Sequence, residues 1–344
     1  MKGSDFMMQK NQKRAAAVAC MVLLCISLLC PTASAATLVV IDLADMVDEV
    51  SPSVVEVFTE TKQVSRWFQE YVTEGAGSGV ILTEDGYIVT NHHVIDGAST
   101  IKVRLSNGQT YTATLTGTDE KTDLAVVKIN ASDLTAAKLA DSSSVRVGDF
   151  VIAIGNPLGE LGGTVTEGII SAKDREITID GEAMTLLQTS AAVNPGNSGG
   201  GLFNLNGELV GVVNAKSSGE DIEGLAFAIP ANTVKEITQE LIQYGYVTGR
   251  PQLGISVAQI TKPGMGWQTY YSTPGLYITQ SSANNGLKAG DRIIQIDGTA
   301  INNAADVSTV LNRHSVGDVV KVVVSRDGKE VTISVKLTEQ KPEK

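Results

Sequence analysis

Residues 194–201 read Asn-Pro-Gly-Asn-Ser-Gly-Gly-Gly, one hydroxyl among four glycines. A turn needs one or two glycines, because glycine takes positive φ without strain. Four around Ser198 let backbone N–H groups come close to a ligand and hold the hydroxyl at the tip of a tight loop. Taken alone, the octapeptide reads equally as a flexible turn between two strands. A serine hydroxyl is a poor nucleophile until a base takes its proton, so the question passes to the histidines. There are three: His92, His93 and His314. The first two stand in Val89-Thr90-Asn91-His92-His93-Val94-Ile95, at the end of an apolar run. A base also needs an orienting carboxylate. Asp123, in Lys121-Thr122-Asp123-Leu124-Ala125-Val126-Val127, stands immediately before an apolar strand, where its side chain can reach inward. Its plainer reading is a turn residue.

Those three positions must be brought together by many short strands. β-type runs occur at Val54–Phe58, Gly79–Leu82, Tyr87–Thr90, Ile101–Leu105, Ala125–Ile129, Phe150–Ile154, Gly168–Ala172 and Leu209–Asn214. Turn signals such as Glu84-Asp85-Gly86, Ser106-Asn107-Gly108 and Asn206-Gly207 separate them. The pattern predicts a sandwich or barrel, with enough strands for two barrels. Before it, Leu43, Met46, Val47 and Val50 have helical spacing, which Pro52 ends. After it, Pro230 introduces a helix with Val234, Ile237, Leu241 and Ile242 on its apolar face, stopped by Gly245. Residues 245–251 read as a linker. A second, small α+β unit follows, with strands near 253–258, 275–279, 292–296, 318–325 and 330–337 and a short helix near 304–313.

The chain has 344 residues, about right for two domains. With 34 glycines and only 5% aromatic residues, short strands and turns are favoured over a helical bundle. Lys10, Lys13 and Arg14 precede an apolar run from Ala15 to Cys30, followed by Pro31 and Ala33-Ser34-Ala35. This is the pattern of a secretory signal peptide cut after Ala35. Membrane anchoring through residues 15–30 is the alternative, although a span needs about 20 apolar residues. All three cysteines (Cys20, Cys25, Cys30) lie in that segment. The remaining chain, bound for an oxidising compartment, has neither a disulfide nor a Cys-ligated metal site, and no cofactor is expected. Net charge is −11; the first 35 residues carry +3, leaving the remainder near −14. So acidic a surface argues against nucleic acid or anionic lipid as partner.

Seven blocks in order resemble the HtrA/Deg family of serine proteases. They are Gly77-Ser78-Gly79-Val80-Ile81, Thr90-Asn91-His92-His93-Val94, Asp123-Leu124-Ala125-Val126, Gly155-Asn156-Pro157-Leu158-Gly159, Gly168-Ile169-Ile170-Ser171, Gly196-Asn197-Ser198-Gly199-Gly200 and Gly224-Leu225-Ala226-Phe227-Ala228-Ile229-Pro230. The order His, Asp, Ser is that of chymotrypsin-type proteases. The resemblance, over roughly residues 42–338, implies a mainly β fold: a chymotrypsin-like double β-barrel protease domain (36–248) followed by a small α+β PDZ domain (252–338). It implies His93 as base, Asp123 as orienting acid and Ser198 as nucleophile, with an oxyanion hole at Gly196, Asn197 and Ser198. His92 is then a solvated neighbour, and His314 caps the second domain's helix. Arg175 matches the arginine of the family's regulatory loop, though a solvated surface charge explains it nearly as well. Two positions depart from the pattern: Gly201 where proline often follows Gly-Gly, and Ser190 where many members have Asp.

In the second domain, Gln252-Leu253-Gly254-Ile255 resembles the carboxylate-binding loop of a PDZ domain, and Gly290-Asp291-Arg292-Ile293-Ile294 its following strand. This implies capture of C-terminal peptides by Leu253, Gly254 and Ile255, with Val307, Val310 and Leu311 lining the pocket; some of these are also ordinary core positions. The implied activity is an extracytoplasmic endopeptidase acting on unfolded or mislocalised polypeptides. The implied assembly is a homotrimer, with Trp67, Phe68 and Tyr71 as candidate contacts. The competing reading is a chaperone-like binding scaffold with little turnover.

Overall fold

A computed structural model describes residues 43–64, 70–156, 163–179, 182–215, 225–261, 273–281 and 285–341. Six strands close the first barrel: β1 (Val54–Val64), β2 (Glu70–Ile81), β3 (Tyr87–Thr90), β4 (Thr100–Arg104), β5 (Thr110–Asp119) and β6 (Leu124–Lys128), in the order β1-β2-β3-β6-β5-β4. The second is built from β7 (Lys138–Leu139), β8 (Phe150–Gly155), β9 (Thr164–Ile179), β10 (Glu182–Thr189), β11 (Gly201–Asn204), β12 (Glu208–Asn214) and β13 (Ala226–Pro230). Its order is β11-β8-β9-β10-β13-β12-β7, and β11 also pairs with β12, so this sheet returns on itself. The expectation of two barrels is met.

Residue alternation explains why several strands read as unbroken apolar runs. In β6, Ala125 and Val127 face the interior of the first barrel, while Leu124 and Val126 face a second core. In β8, Ile152 and Ile154 join that same second core, while Val151 and Ala153 fill the second barrel. The shared core lies between the barrels and also takes Phe203, Leu209 and Phe227. Strands buried on both faces cannot alternate with polar residues. Burial of this apolar surface is the main force holding the two barrels together.

Helix α1 (Leu43–Val50) and helix α3 (Ala231–Tyr244) seal the shared core with Met46 and Val50, and with Val234, Ile237 and Leu241. Gly245 ends α3 as its sequence predicts: φ is +82°, and its N–H bonds the Leu241 carbonyl. In the two barrels the sequence reading missed β5, β7, β10, β11 and β13. Strand β5 (TYTATLTGTD) is rich in threonine, a good strand former with little apolar signal, so periodicity does not announce it.

The second unit holds β15 (Ile255–Ile260), β16 (Gly275–Ser281), β17 (Arg292–Ile296), β18 (Thr299–Ala300), β19 (Val319–Arg326) and β20 (Lys329–Lys336), with helix α4 (Ala304–Leu311). The main sheet runs β15-β16-β17-β19-β20, which leaves β15 at one edge. Asn303 and Asp306 form a capping box at the start of α4. A short ribbon of β14 (Pro251–Gln252) and β21 (Thr338–Glu339) ties the unit's two ends together. Trp67 and Phe68 lie outside the described residues; the backbone of Tyr71 pairs with Gln63 in the β1–β2 hairpin.

Candidate active site

His93 lies in the single helical turn α2 (His92–Ile95) that follows β3. The preceding Asn91 is fully buried and donates through Nδ2 to the Asp123 carbonyl at 2.9 Å. Asp123 ends the β5–β6 turn with φ +54°, a left-handed conformation that aspartate tolerates better than most residues. That kink turns its carboxylate back under α2. Oδ1 accepts the backbone N–H of His93 at 3.0 Å, and Oδ2 lies 2.7 Å from His93 Nδ1. A carboxylate can only accept, so Nδ1 carries the proton and Nε2 presents its lone pair. Nε2 stands 2.9 Å from Ser198 Oγ. The structure therefore brings together three side chains from a helical turn, a strand-to-strand turn and a glycine loop. Asp123 and Ser198 are each only 6% exposed, so the polar chain runs largely out of water.

Asn214 was not singled out in the sequence. From the end of β12 it donates through Nδ2 to Asp123 Oδ2 at 2.9 Å and is itself fully buried. The carboxylate thus accepts from the His93 ring, the His93 backbone and the Asn214 amide. Asn214 sits in a buried apolar strand, and one polar residue there is the signal that could have found it.

The glycine loop is built as its composition suggests. Gly196 and Gly199 have φ of +97° and +85°. At Gly199 a Cβ would run into the Ser78 carbonyl, so a side chain is excluded on two grounds. Asn197 needs correction as an oxyanion donor. Its N–H is engaged with the Asn194 carbonyl at 3.0 Å. Its buried side chain lies against Gly155, where a Cβ would come within 2.7 Å of Oδ1. The Asn197 carbonyl accepts from the Gly200 N–H at 2.9 Å. In a trans peptide the N–H points opposite to its C=O, so the Ser198 N–H is turned away from this inner bond.

One of the two departures has a physical explanation. Gly201 opens β11, and the Phe203 ring fills the space that a side chain there would need. Ser190 accepts the Ile169 N–H through Oγ at 3.1 Å, at an exposed position. Arg175 lies within β9, with Nε 3.2 Å from Gln188 Oε1, so its place is a strand and not a loop. His92 is half-buried, and Nδ1 lies 2.8 Å from Thr118 Oγ1, so it is more than a solvated neighbour. His314 caps α4 by donating from Nδ1 to the Val310 carbonyl at 3.0 Å, with Asp297 3.1 Å from Nε2.

In the second unit, Leu253 and Val310 belong to the core, and Ile255, Val307 and Leu311 are partly buried against it. Gly254 has φ +68°, and Asn285 Nδ2 donates to the Leu253 carbonyl at 2.7 Å, fixing the turn that leads into edge strand β15. Polar contacts join this unit to the barrels. The Arg250 guanidinium is paired with Asp119, its Nη2 at 2.8 Å from Oδ2. Lys121 bonds the Asn312 side chain just beyond α4. Among the described residues no three His, Cys, Asp or Glu side chains cluster to hold a metal, and no helix is long and apolar enough to cross a membrane.

A double barrel followed by a small edge-strand domain defines a trypsin-like peptidase with a PDZ domain. The family model described as a trypsin-like peptidase domain matches residues 77–212, and that of the PDZ domain matches residues 251–337. The serine protease Do-like HtrA of Lactobacillus helveticus is 44% identical over 285 residues, covering 77% of this chain and 69% of the relative. That of Bacillus subtilis is 39% identical over 332 residues, covering 88% and 74%. The periplasmic serine endoprotease DegP of Escherichia coli is 42% identical over 270 residues, covering 76% of this chain and 56% of the relative. Among solved structures, the HtrA-type protease AlgW with a decapeptide superposes with a TM-score of 0.59 at 33% identity, covering 87% of this chain and 99% of that one. The chain belongs to the HtrA/DegP family of serine proteases.

Proposed function

We propose that this serine protease is an extracytoplasmic endopeptidase that cuts unfolded or mislocalised polypeptides through an acyl-enzyme on Ser198, under control of its PDZ domain. The hydrogen-bonded chain from Asp123 through His93 to Ser198 carries this reading. As Oγ attacks a peptide carbonyl, the Ser198 proton passes to His93 Nε2. Asp123 holds the ring's tautomer and stabilises the imidazolium without taking the proton. The N–H groups of Gly196 and Ser198 receive the oxyanion, and His93 then returns the proton to the leaving amine. Water attacks the acyl group by the same path in reverse. Loss of one oxyanion donor would cost on the order of 10²–10³ in rate.

A C-terminal carboxylate binds at the amides of Leu253, Gly254 and Ile255, and its peptide adds a strand to the edge of β15, with Val307, Val310 and Leu311 forming the apolar side. Arg250 and Lys121 support coupling between the sites. Arg250 pairs with Asp119, four residues before Asp123, and Lys121 lies on the same turn. Arg175 is assigned to the same regulation from its exposed place on β9. The assembly is a homotrimer. The signal-like first 35 residues and the periplasmic relative support an extracytoplasmic location, with membrane attachment only where residues 15–30 are retained.

The test is to incubate the full chain with casein beside Ser198→Ala, with and without C-terminal peptides. Cleavage by the parent alone, stimulated by peptide, is expected. No cleavage by either, under both conditions, would leave a binding scaffold in its place.

A further inference from the structure

Gly77-Ser78-Gly79 has no part in the chemistry above, yet the structure spends every polar atom of Ser78 on the loop and strands that hold Ser198. Ser78 is fully buried in β2. Its N–H donates to the Ser198 carbonyl at 2.8 Å. Its Oγ donates to the Gly196 carbonyl at 2.8 Å and accepts the Asn156 N–H at 2.8 Å. Its own carbonyl accepts from Thr90 Oγ1 at 2.7 Å. The flanking glycines are a matter of space. A Cβ at Gly77 would come within 2.6 Å of Val94, and one at Gly79 within 2.8 Å of Ile88.

We propose that the Ser78 hydroxyl is a positioning residue for proteolysis: it fixes the Gly196–Asn197 peptide so that the oxyanion site stays open. This rests on the reading of Ser198 as nucleophile. The carbonyls of Gly196, Asn197 and Ser198 are drawn inward by Ser78 Oγ, the Gly200 N–H and the Ser78 N–H respectively. Two of these three anchors belong to one residue, and they come from the first barrel while the loop comes from the second. The backbone anchor on Ser198 survives any side-chain substitution. The anchor on Gly196 does not. Without it, the Gly196 carbonyl and the Asn156 N–H lose a buried partner, which is costly for both. Gly196 is the residue best able to respond, because glycine crosses between φ regions without a Cβ penalty. A carbonyl turned outward at this point would present a negative dipole where the developing anion needs donors.

The test uses the full chain with dye-labelled casein, comparing the parent with Ser78→Ala, Ser198→Ala and Ser53→Ala. Ser53 is buried, and its hydroxyl donates to the Val50 carbonyl at 2.6 Å, away from the site. Ser53→Ala therefore calibrates the loss of one buried hydrogen bond. For Ser78→Ala, which loses two buried bonds where Ser53→Ala loses one, kcat is expected to fall about 10- to 100-fold, with KM within about threefold, the protein fully folded at the assay temperature, and a melting temperature below that of Ser53→Ala by no more than a second such bond accounts for. Labelling of Ser198 by a fluorophosphonate should slow in parallel, since it too builds negative charge on an oxygen in the same site. A Ser78→Ala kcat within twofold of the parent, or a loss matched by the fraction unfolded, overturns the proposal. Should Ser78→Ala fail to fold, Ser78→Cys keeps the bulk with a weaker donor: a lowered kcat at unchanged KM supports the proposal, and a parent-level kcat overturns it. Activity unaffected by Ser198→Ala would instead overturn the nucleophile assignment beneath it.

Discussion

Ser198 and His93 come from positions 105 residues apart and from different barrels. The loop Leu253-Gly254-Ile255 and edge strand β15 are one continuous stretch of chain, with Asn285 bonded to the Leu253 carbonyl and β16 paired alongside. The first site exists only if two barrels meet in register; the second needs one small sheet and one helix. The catalytic site should therefore be sensitive to single buried polar atoms. The peptide site should depend chiefly on the stability of its own domain.

Substitutions in the triad test that contrast most severely. Ser198→Ala should lower kcat for casein by on the order of 10⁶, with the melting temperature essentially kept. Asp123→Asn should cost about 10⁴ in kcat by favouring the wrong His93 tautomer, visible in steady-state rates with KM little altered.

The second domain offers a different handle. Asp291 is 1% exposed and accepts two bonds from Arg326, each 2.7 Å. Burial alone would raise its pKa; the Arg326 hydrogen bonds, the Lys288 N–H and the nearby positive charges outweigh it and hold the carboxyl below its ordinary range. A depressed carboxylate contributes stability that is full above its unfolded pKa, about 3.9, and is lost as pH falls through the folded value. Acidification below about pH 4 should thus lower the stability of the parent's second domain. Arg326→Ala should remove about 2–3 kcal/mol at neutral pH, a value discounted because the arginine side chain is a quarter exposed. The first domain's melting transition should stay in place. Calorimetry of both proteins across pH checks this. A single transition shifting as a whole would show the two domains to be one cooperative unit.

The mildest expected effect is at Asn214. Asn214→Ala removes one of the three donors to the Asp123 carboxylate, and kcat should drop about tenfold, in line with a hydrogen bond to a charged group. A change confined to KM would argue that Asn214 shapes the substrate cleft instead.

How much of this was legible in the sequence follows the same division. Gly245 as a helix stop, the α3 face and the short helix expected near 304–313, found at Ala304–Leu311, could be read because their signals are local. His93, Asp123 and Ser198 stood out because histidine is scarce and four glycines crowd one serine. Asn214 and Ser78 could not be assigned. Each is a common polar residue in a β-strand, and its partner, Asp123 or Gly196, lies 91 or 118 residues away. The threonine-rich β5 hid because its inward positions carry little apolar signal, although it leads directly into the turn that presents Asp123.

The central claim is that Asp123, His93 and Ser198 act as one proton-transfer chain. Its most direct test is intact-mass analysis after treatment with diisopropyl fluorophosphate, for the parent and for His93→Ala. In the parent, Oγ should displace fluoride from phosphorus, leaving one adduct on Ser198 as its proton passes to His93. His93→Ala should remain unlabelled over the same period. An adduct on another residue, or equal labelling of Ser198 in both proteins, would contradict the account.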